Sequence, residues 1–271
     1  MIALDRELVQ RFAPMPQRAA LNALFNIEQE VLGTLRPGLE HTVSHTKLGW
    51  WSEELERLAV GRPAHPSAVT LARVAEEQTR SAPDLRALAE HASEALACMA
   101  FVDRAELLSH LRQWSHSVFR ELATLGAATG ATDPRHLPIA ERLAARAGPA
   151  IREVELLFAF ERHARAGRVY TPIQPDQVPI WTAQPLGDAQ RRQLNERLVE
   201  LESALAAAVA EVPAPARVSL ASAVVWARLA ERTARLTRGA ASLGGELGRI
   251  EPLRRTIRAW QAAVRALQGA A

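Results

Sequence analysis

Apolar residues return along this chain at helical intervals, and no segment alternates in the period-two manner of a half-buried strand. Leu21, Leu24, Phe25 and Glu28 stand at i, i+3, i+4 and i+7, so a stripe runs along a helix over about residues 15–33. Pro16 suits its first turn, where no amide donor is required. Pro37-Gly38 then marks a break. Leu48, Trp51, Leu55 and Leu58 place a second helix over about 40–59, ahead of the loop Gly61-Arg62-Pro63-Ala64-His65-Pro66. Ser67 is the expected cap of a third helix, about 68–80, and Ser81-Ala82-Pro83-Asp84 opens a fourth that runs to about 100. Asp103 as N-cap with Glu106 at the third helical position reads as a capping box for a helix over about 104–125. After a break at 130–134, a helix spans about 136–165 with a kink at Gly148-Pro149. Residues 167–185 hold four prolines and no helical period, which predicts an extended loop long enough to be a lid or functional segment. Helices over about 188–212, up to about 238 and over about 252–268 complete the chain. Many helices with short connections predict one all-α domain, a single bundle.

Composition agrees. Only 5% of the 271 residues are aromatic while 48% are apolar, a balance weighted to Ala and Leu that favours packed helices over sheets. A chain of this size can bury a sizeable core without cross-links. The formal charge is only +3, and Lys47 is the single lysine among 33 basic residues. Such an arginine bias reflects GC-rich coding. The arginines are interleaved with Glu along helical segments, as on solvated helix faces. No basic stripe with stacking aromatics points to nucleic acid. Cys98 stands alone, so neither an intrachain disulfide nor a zinc-type cysteine spacing is available. It reads as a small buried hydrophobe and fits a reducing, cytoplasmic setting. The first residues lack the basic-then-apolar pattern of a signal peptide. No apolar stretch approaches the roughly 20 residues of a membrane helix, which leaves peripheral membrane contact open.

Three segments, in order, carry a family resemblance. The first is Lys47-Leu48-Gly49-Trp50-Trp51-Ser52-Glu53-Glu54-Leu55 followed by Gly61-Arg62-Pro63-Ala64-His65-Pro66. The second is Gly167-Arg168-Val169-Tyr170-Thr171-Pro172, and the third is Pro252-Leu253-Arg254-Arg255-Thr256-Ile257-Arg258-Ala259-Trp260. Together they resemble the squalene/phytoene synthase family over about residues 15–265. The resemblance implies an isoprenoid-synthase fold, an all-α bundle around a central cavity. It also implies magnesium-dependent ionisation of prenyl diphosphates, with two Asp-x-x-x-Asp motifs on facing helices supplying carboxylates to the metal ions.

Those motifs are missing. Counting back from Gly167, the two Asp positions of the second motif hold Ala159 and His163, and the nearby Glu161 lies on another helix face. The helix expected to carry the first motif, Ala23 to Leu32, has no Asp; its Glu28 and Glu30 are two apart and point in roughly opposite directions. Phe25-Asn26-Ile27-Glu28 instead resembles a divergent branch related to mitochondrial complex I assembly factors, which also lacks the Asp-rich pattern.

Lys47, Trp51, Arg168 and Tyr170 are the family-like positions expected to contact substrate or an anion. Trp50 and Trp51 either line a prenyl cavity, where aromatic faces stabilise cations, or pack in the core. Arg168 and Tyr170 either hold an anion or keep the loop in shape. His41 and His45 share a helix face but lack a third metal ligand, His110 and His116 do not face one way, and His163 is expected as a neutral replacement. Nucleophile-elbow and phosphate-loop motifs are absent from the sequence. Two readings follow. One is a descendant that has lost metal-dependent prenyl transfer, needs no cofactor, and binds an isoprenoid or other apolar lipid, or a protein partner, as an assembly module. The other is a divergent head-to-head prenyltransferase of isoprenoid biosynthesis, using magnesium held by other residues.

Overall fold

The computed structural model of the chain describes residues 2–36, 38–128, 135–183 and 186–238, with residues 260, 261 and 264 of the C-terminal segment. The expected break at 130–134 and most of the expected last helix lie outside the described residues. So does the third family-like segment apart from Trp260.

The described chain is almost wholly helical. In order it forms α1 (Ile2–Arg11), α2 (Met15–Gly33), α3 (His41–Ala59), α4 (Pro66–Glu77), α5 (Arg86–Ala97), β1 (Ala100–Phe101) and α6 (Arg104–Trp114). A π-helical turn (Ser115–Phe119) leads into α7 (Arg120–Ala128), followed by α8 (His136–Phe158), α9 (Phe160–Arg165) and β2 (Val169–Pro172). A 3-10 turn (Pro175–Gln177), α10 (Val178–Thr182), α11 (Asp188–Ala210), α12 (Ala214–Arg217) and α13 (Ala221–Arg238) complete it. α8 is central: α6, α7, α11 and α13 all pack on it, and α11 lies along α13. α2 packs on α4 and is overlain by α1. No helix among the described residues is long and apolar enough to cross a membrane.

The stripe read from the sequence is the buried face of α2, where Leu21, Leu24, Ile27 and Val31 are fully enclosed. The core extends further toward the N-terminus than expected, since α1 buries Leu8 and Val9, with Ala13 just beyond it. Helix ends follow local chemistry. Gly61 and Gly167 both have φ of +73°, the left-handed conformation that glycine adopts without steric cost and that ends a helix. The Arg62 amide accordingly reaches back to the Arg57 carbonyl, and the Arg168 amide to that of His163. The Asp103 carboxylate accepts from the Glu106 amide at 2.8 Å as expected, but Glu106 reaches the Val102 amide rather than that of Asp103.

Several expectations are corrected. α4 is capped by the His65 ring, whose Nδ1 accepts from the Ser67 amide, because Pro66 occupies the first helical turn; Ser67 is not the cap. α5 stops at Ala97, and the chain then forms β1, which pairs in parallel with β2 from the supposed loop. That loop also contains α10. α8 runs on through Gly148-Pro149, as the single helix expected there does. The Ser115 hydroxyl, presented by the π-turn, donates to the Ala144 carbonyl at 3.0 Å, one residue before the carbonyl that Pro149 leaves without its helical donor. Gly148 makes this approach possible, since a Cβ there would lie 1.9 Å from the Ser115 Oγ.

Candidate functional site

Between α1, α2 and α8 the interior is built from charges that neutralise one another. Arg6 of α1 makes a two-pronged contact with Glu28 of α2, Nε to Oε2 and Nη2 to Oε1, both at 2.5 Å. The same guanidinium reaches Glu155 of α8, Nη1 to Oε1 at 3.0 Å and Nη2 to Oε2 at 3.3 Å. The Trp114 indole donates to Glu28 at 2.8 Å, and Arg152 donates to Glu155 at 3.2 Å. Both carboxylates are almost completely enclosed. Burial works against ionisation of Glu28, but the Arg6 guanidinium outweighs it, with Arg152 and the Trp114 indole assisting, and holds the carboxyl below its usual range. Two guanidinium and two carboxylate charges thus balance inside the bundle. Arg6 also lies 5.0 Å over the Trp226 ring. Beside Glu155 and Trp226 a void of about 10 Å³ remains, room for about one water.

The network continues outward through histidines. Arg152 donates to His91 Nε2 at 3.2 Å, which places the His91 proton on Nδ1, and Nδ1 donates to the His110 carbonyl at 2.9 Å. The His91 and His110 rings stack with centroids 3.9 Å apart. Burial, then the neighbouring His110 and Arg152, pushes His91 well below the ordinary histidine value. His110 is lowered to about 4, by burial first and Arg152 second, against the pull of Glu94.

At the positions where the resemblance expects the second acidic motif, Ala159 forms the joint between α8 and α9. His163 packs edge-on against Tyr170, with centroids 4.9 Å apart. Its pKa falls to about 3, through burial and then the charges of Arg162, Arg152 and Arg168. The region is therefore electropositive. Tyr170 is buried with Phe101, Leu107, Leu111 and Leu156, and Cys98 packs half-buried against the same cluster. Arg168 donates from Nη1 to the Leu35 carbonyl at 3.2 Å, tying β2 to the end of α2. Glu28 and Glu155, the carboxylates that face each other from α2 and α8, are bridged by Arg6. The residues present do not fit a magnesium cluster. Among the described residues no group of three or more His, Cys, Asp or Glu side chains is arranged to hold a metal. His41 and His45 face each other on the exposed side of α3, 2.9 Å apart.

Lys47 and Trp51 come together elsewhere, in an open cleft of about 390 Å³ between the end of α2 and α3. Lys47, Trp50 and Trp51 stand at i, i+3 and i+4 on α3. Trp51 is buried and forms the back wall, while Trp50 is 44% exposed and meets it edge-on at 5.0 Å. His65 closes the aromatic corner, 4.9 Å from Trp51. Its position is set by Glu54, buried on α3, whose Oε1 accepts from the Ala64 and His65 amides at 2.8 and 2.7 Å while Oε2 holds Arg57. Arg36 and Glu30 complete the rim. Arg168 and Tyr170 are not part of this cleft: the four family-like positions are divided between it and the interior. Arg6 and Glu155 lie outside every motif of the sequence, and Glu54, inside the first family-like segment, has no role assigned by that resemblance.

No curated protein matches the chain. The model of the squalene/phytoene synthase family, in contrast, matches residues 5–267, nearly the whole length and including most of α1. This chain belongs to the squalene/phytoene synthase family and has its all-α isoprenoid-synthase fold.

Proposed function

We propose that this chain keeps the family's helical bundle as a lipid-binding or assembly scaffold and has lost metal-dependent prenyl transfer. The observation that carries the reading is Arg6. One guanidinium lies between Glu28 and Glu155, bonding to both. Family members act on prenyl diphosphates, and the departing pyrophosphate carries a high negative charge that divalent cations must offset. Here the facing carboxylates already have a counter-charge that is covalently part of the chain. A magnesium ion would have to displace a buried, hydrogen-bonded guanidinium to reach them. The surroundings of His163 add to the barrier, since a site crowded by Arg152, Arg162 and Arg168 repels a second cation.

Incubation of the purified protein with farnesyl and geranylgeranyl diphosphates and magnesium, with pyrophosphate release measured, tests this. The expected result is release at the rate of a protein-free control. Turnover above that control overturns the reading and favours the divergent prenyltransferase.

A further inference from the structure

We infer that the cleft between α2 and α3 is a binding site for an amphipathic anion, a phosphate or carboxylate head on an apolar tail. This rests on the scaffold reading and specifies where the ligand would sit. The cleft is separate from the interior: Glu28 faces Arg6 inside the bundle, whereas Glu30, two residues on, lines the cleft. Its volume of about 390 Å³ falls within the ordinary range of small-ligand pockets.

The cleft brings two unpaired cations together at one concave surface. Many arginines elsewhere in the bundle pair with carboxylates: Arg57 with Glu54, Arg80 with Glu121, Arg104 and Arg197 with Glu153, Arg235 with Glu202. Lys47 and Arg36 have no ion-pair partner among the described residues, although Glu30 lines the same cleft. Glu30 stays beside His65, at 3.6 Å. Two uncompensated cations at the rim of a concave surface attract an anion. Lys47, as a compact point charge on a flexible stem, suits a phosphate or carboxylate of variable pose. The walls fix the other half of the ligand. Trp50 keeps 44% of its surface exposed against Trp51 and His65, an aromatic corner open on one side. An apolar tail laid there would cover the indole while the head engages Lys47 and Arg36. A free amphiphile and an anionic lipid headgroup at a membrane surface present the same chemistry.

Decyl phosphate, kept monomeric and free of divalent ions, distinguishes these sources when titrated against the full chain with tryptophan fluorescence as readout. Vesicles of phosphatidylglycerol, against phosphatidylcholine, form the second arm. Lys47 is the only lysine, so its protection from amine acylation, read by mass spectrometry, reports occupancy at one atom. The expected result is saturable binding, protection of Lys47, and affinity weakened at least about tenfold in each of Lys47→Ala, Arg36→Ala and Trp50→Ala. Arg192→Ala on the remote face of α11 should bind normally. Binding to anionic vesicles alone, lost in Lys47→Ala, supports the site with a headgroup as its source. Absence of saturable binding in both arms overturns the inference, as does binding that all three cleft variants leave intact. Neither failure changes the pyrophosphate result, so the loss of prenyl transfer stands or falls separately.

Discussion

The interior of the bundle and the α2–α3 cleft are made from the same kinds of side chain, cations set against indoles, yet they are put to opposite uses. Inside, Arg6 and Arg152 lie over Trp226 and Trp114 and spend their hydrogen bonds on Glu28, Glu155 and His91. In the cleft, Lys47 and Arg36 stand by Trp50 and Trp51 without an ion-pair partner among the described residues, although Glu30 lines the same cleft. A cation whose partners are built into the chain ties elements together; a cation left unpaired at an open mouth is available to something else. Substitutions should separate the two regions by their effect on stability.

The largest effect should come from Arg6→Ala. It leaves Glu28 and Glu155 buried without their shared counter-charge, and truncating one partner of a buried pair costs about 3–5 kcal/mol. Chemical denaturation should show the loss. Arg6→Lys should recover only part of it, because an ammonium cannot reproduce the two-pronged contact with Glu28. A stability change under about 1 kcal/mol for Arg6→Ala would mean the bridge is not what joins α1 to α2 and α8.

Acid should come next. In the folded state His91, His110 and His163 lie below their ordinary value, so between that value and their folded values the unfolded chain binds more protons. Their contribution is complete above about pH 6.5 and is lost as the pH falls toward about 4 for His110 and about 3 for His163. The slope is about 1.4 kcal/mol per pH unit per histidine at most. Glu28, held low by Arg6, works in the same direction at still lower pH. Denaturant midpoints followed from pH 7 downward should fall, and His163→Gln should flatten the curve. An unchanged slope in that variant would contradict the burial of a neutral imidazole against Tyr170.

Smallest should be the cleft variants. Lys47→Ala and Arg36→Ala remove exposed, unpaired charges and should shift stability by less than about 0.5 kcal/mol. A loss comparable to that of Arg6→Ala would place them in the structural network and erase the contrast.

Much of the fold was legible. The 3.6-residue period delivered α2 and α3, while the choice between core and cavity for Trp50 and Trp51 stayed open until the structure buried Trp51 and left Trp50, about 100° around the helix, exposed. Gly167 announced a helix end. Pairings between distant segments were not legible. β1 joins β2 across almost seventy residues, and strands of two and four residues leave too little alternation to read. α1 is ten residues long and has no N-cap signal at its start, so the sequence pattern places the start of the core near residue 15. Arg6, the residue on which the interior turns, therefore passed unnoticed; its partners lie 22 and 149 positions away. The contact of Ser115 with the Ala144 carbonyl beside Pro149 comes from another helix and cannot be seen from α8 alone. The missing acidic motifs follow from the family resemblance, which implies Asp at the positions of Ala159 and His163 when counted back from Gly167.

The most direct measurement is a manganese titration followed by electron paramagnetic resonance, with pyrophosphate present and absent. Manganese(II) takes magnesium's place at oxygen-ligand sites, and its sharp aqueous signal vanishes on capture by protein. If an arginine rather than a metal bridges α2 and α8, adding the protein leaves the manganese signal of either solution unchanged. Stoichiometric loss of that signal on adding the protein, above all with pyrophosphate present, would mean that the carboxylates can exchange Arg6 for divalent cations, and the account would fail.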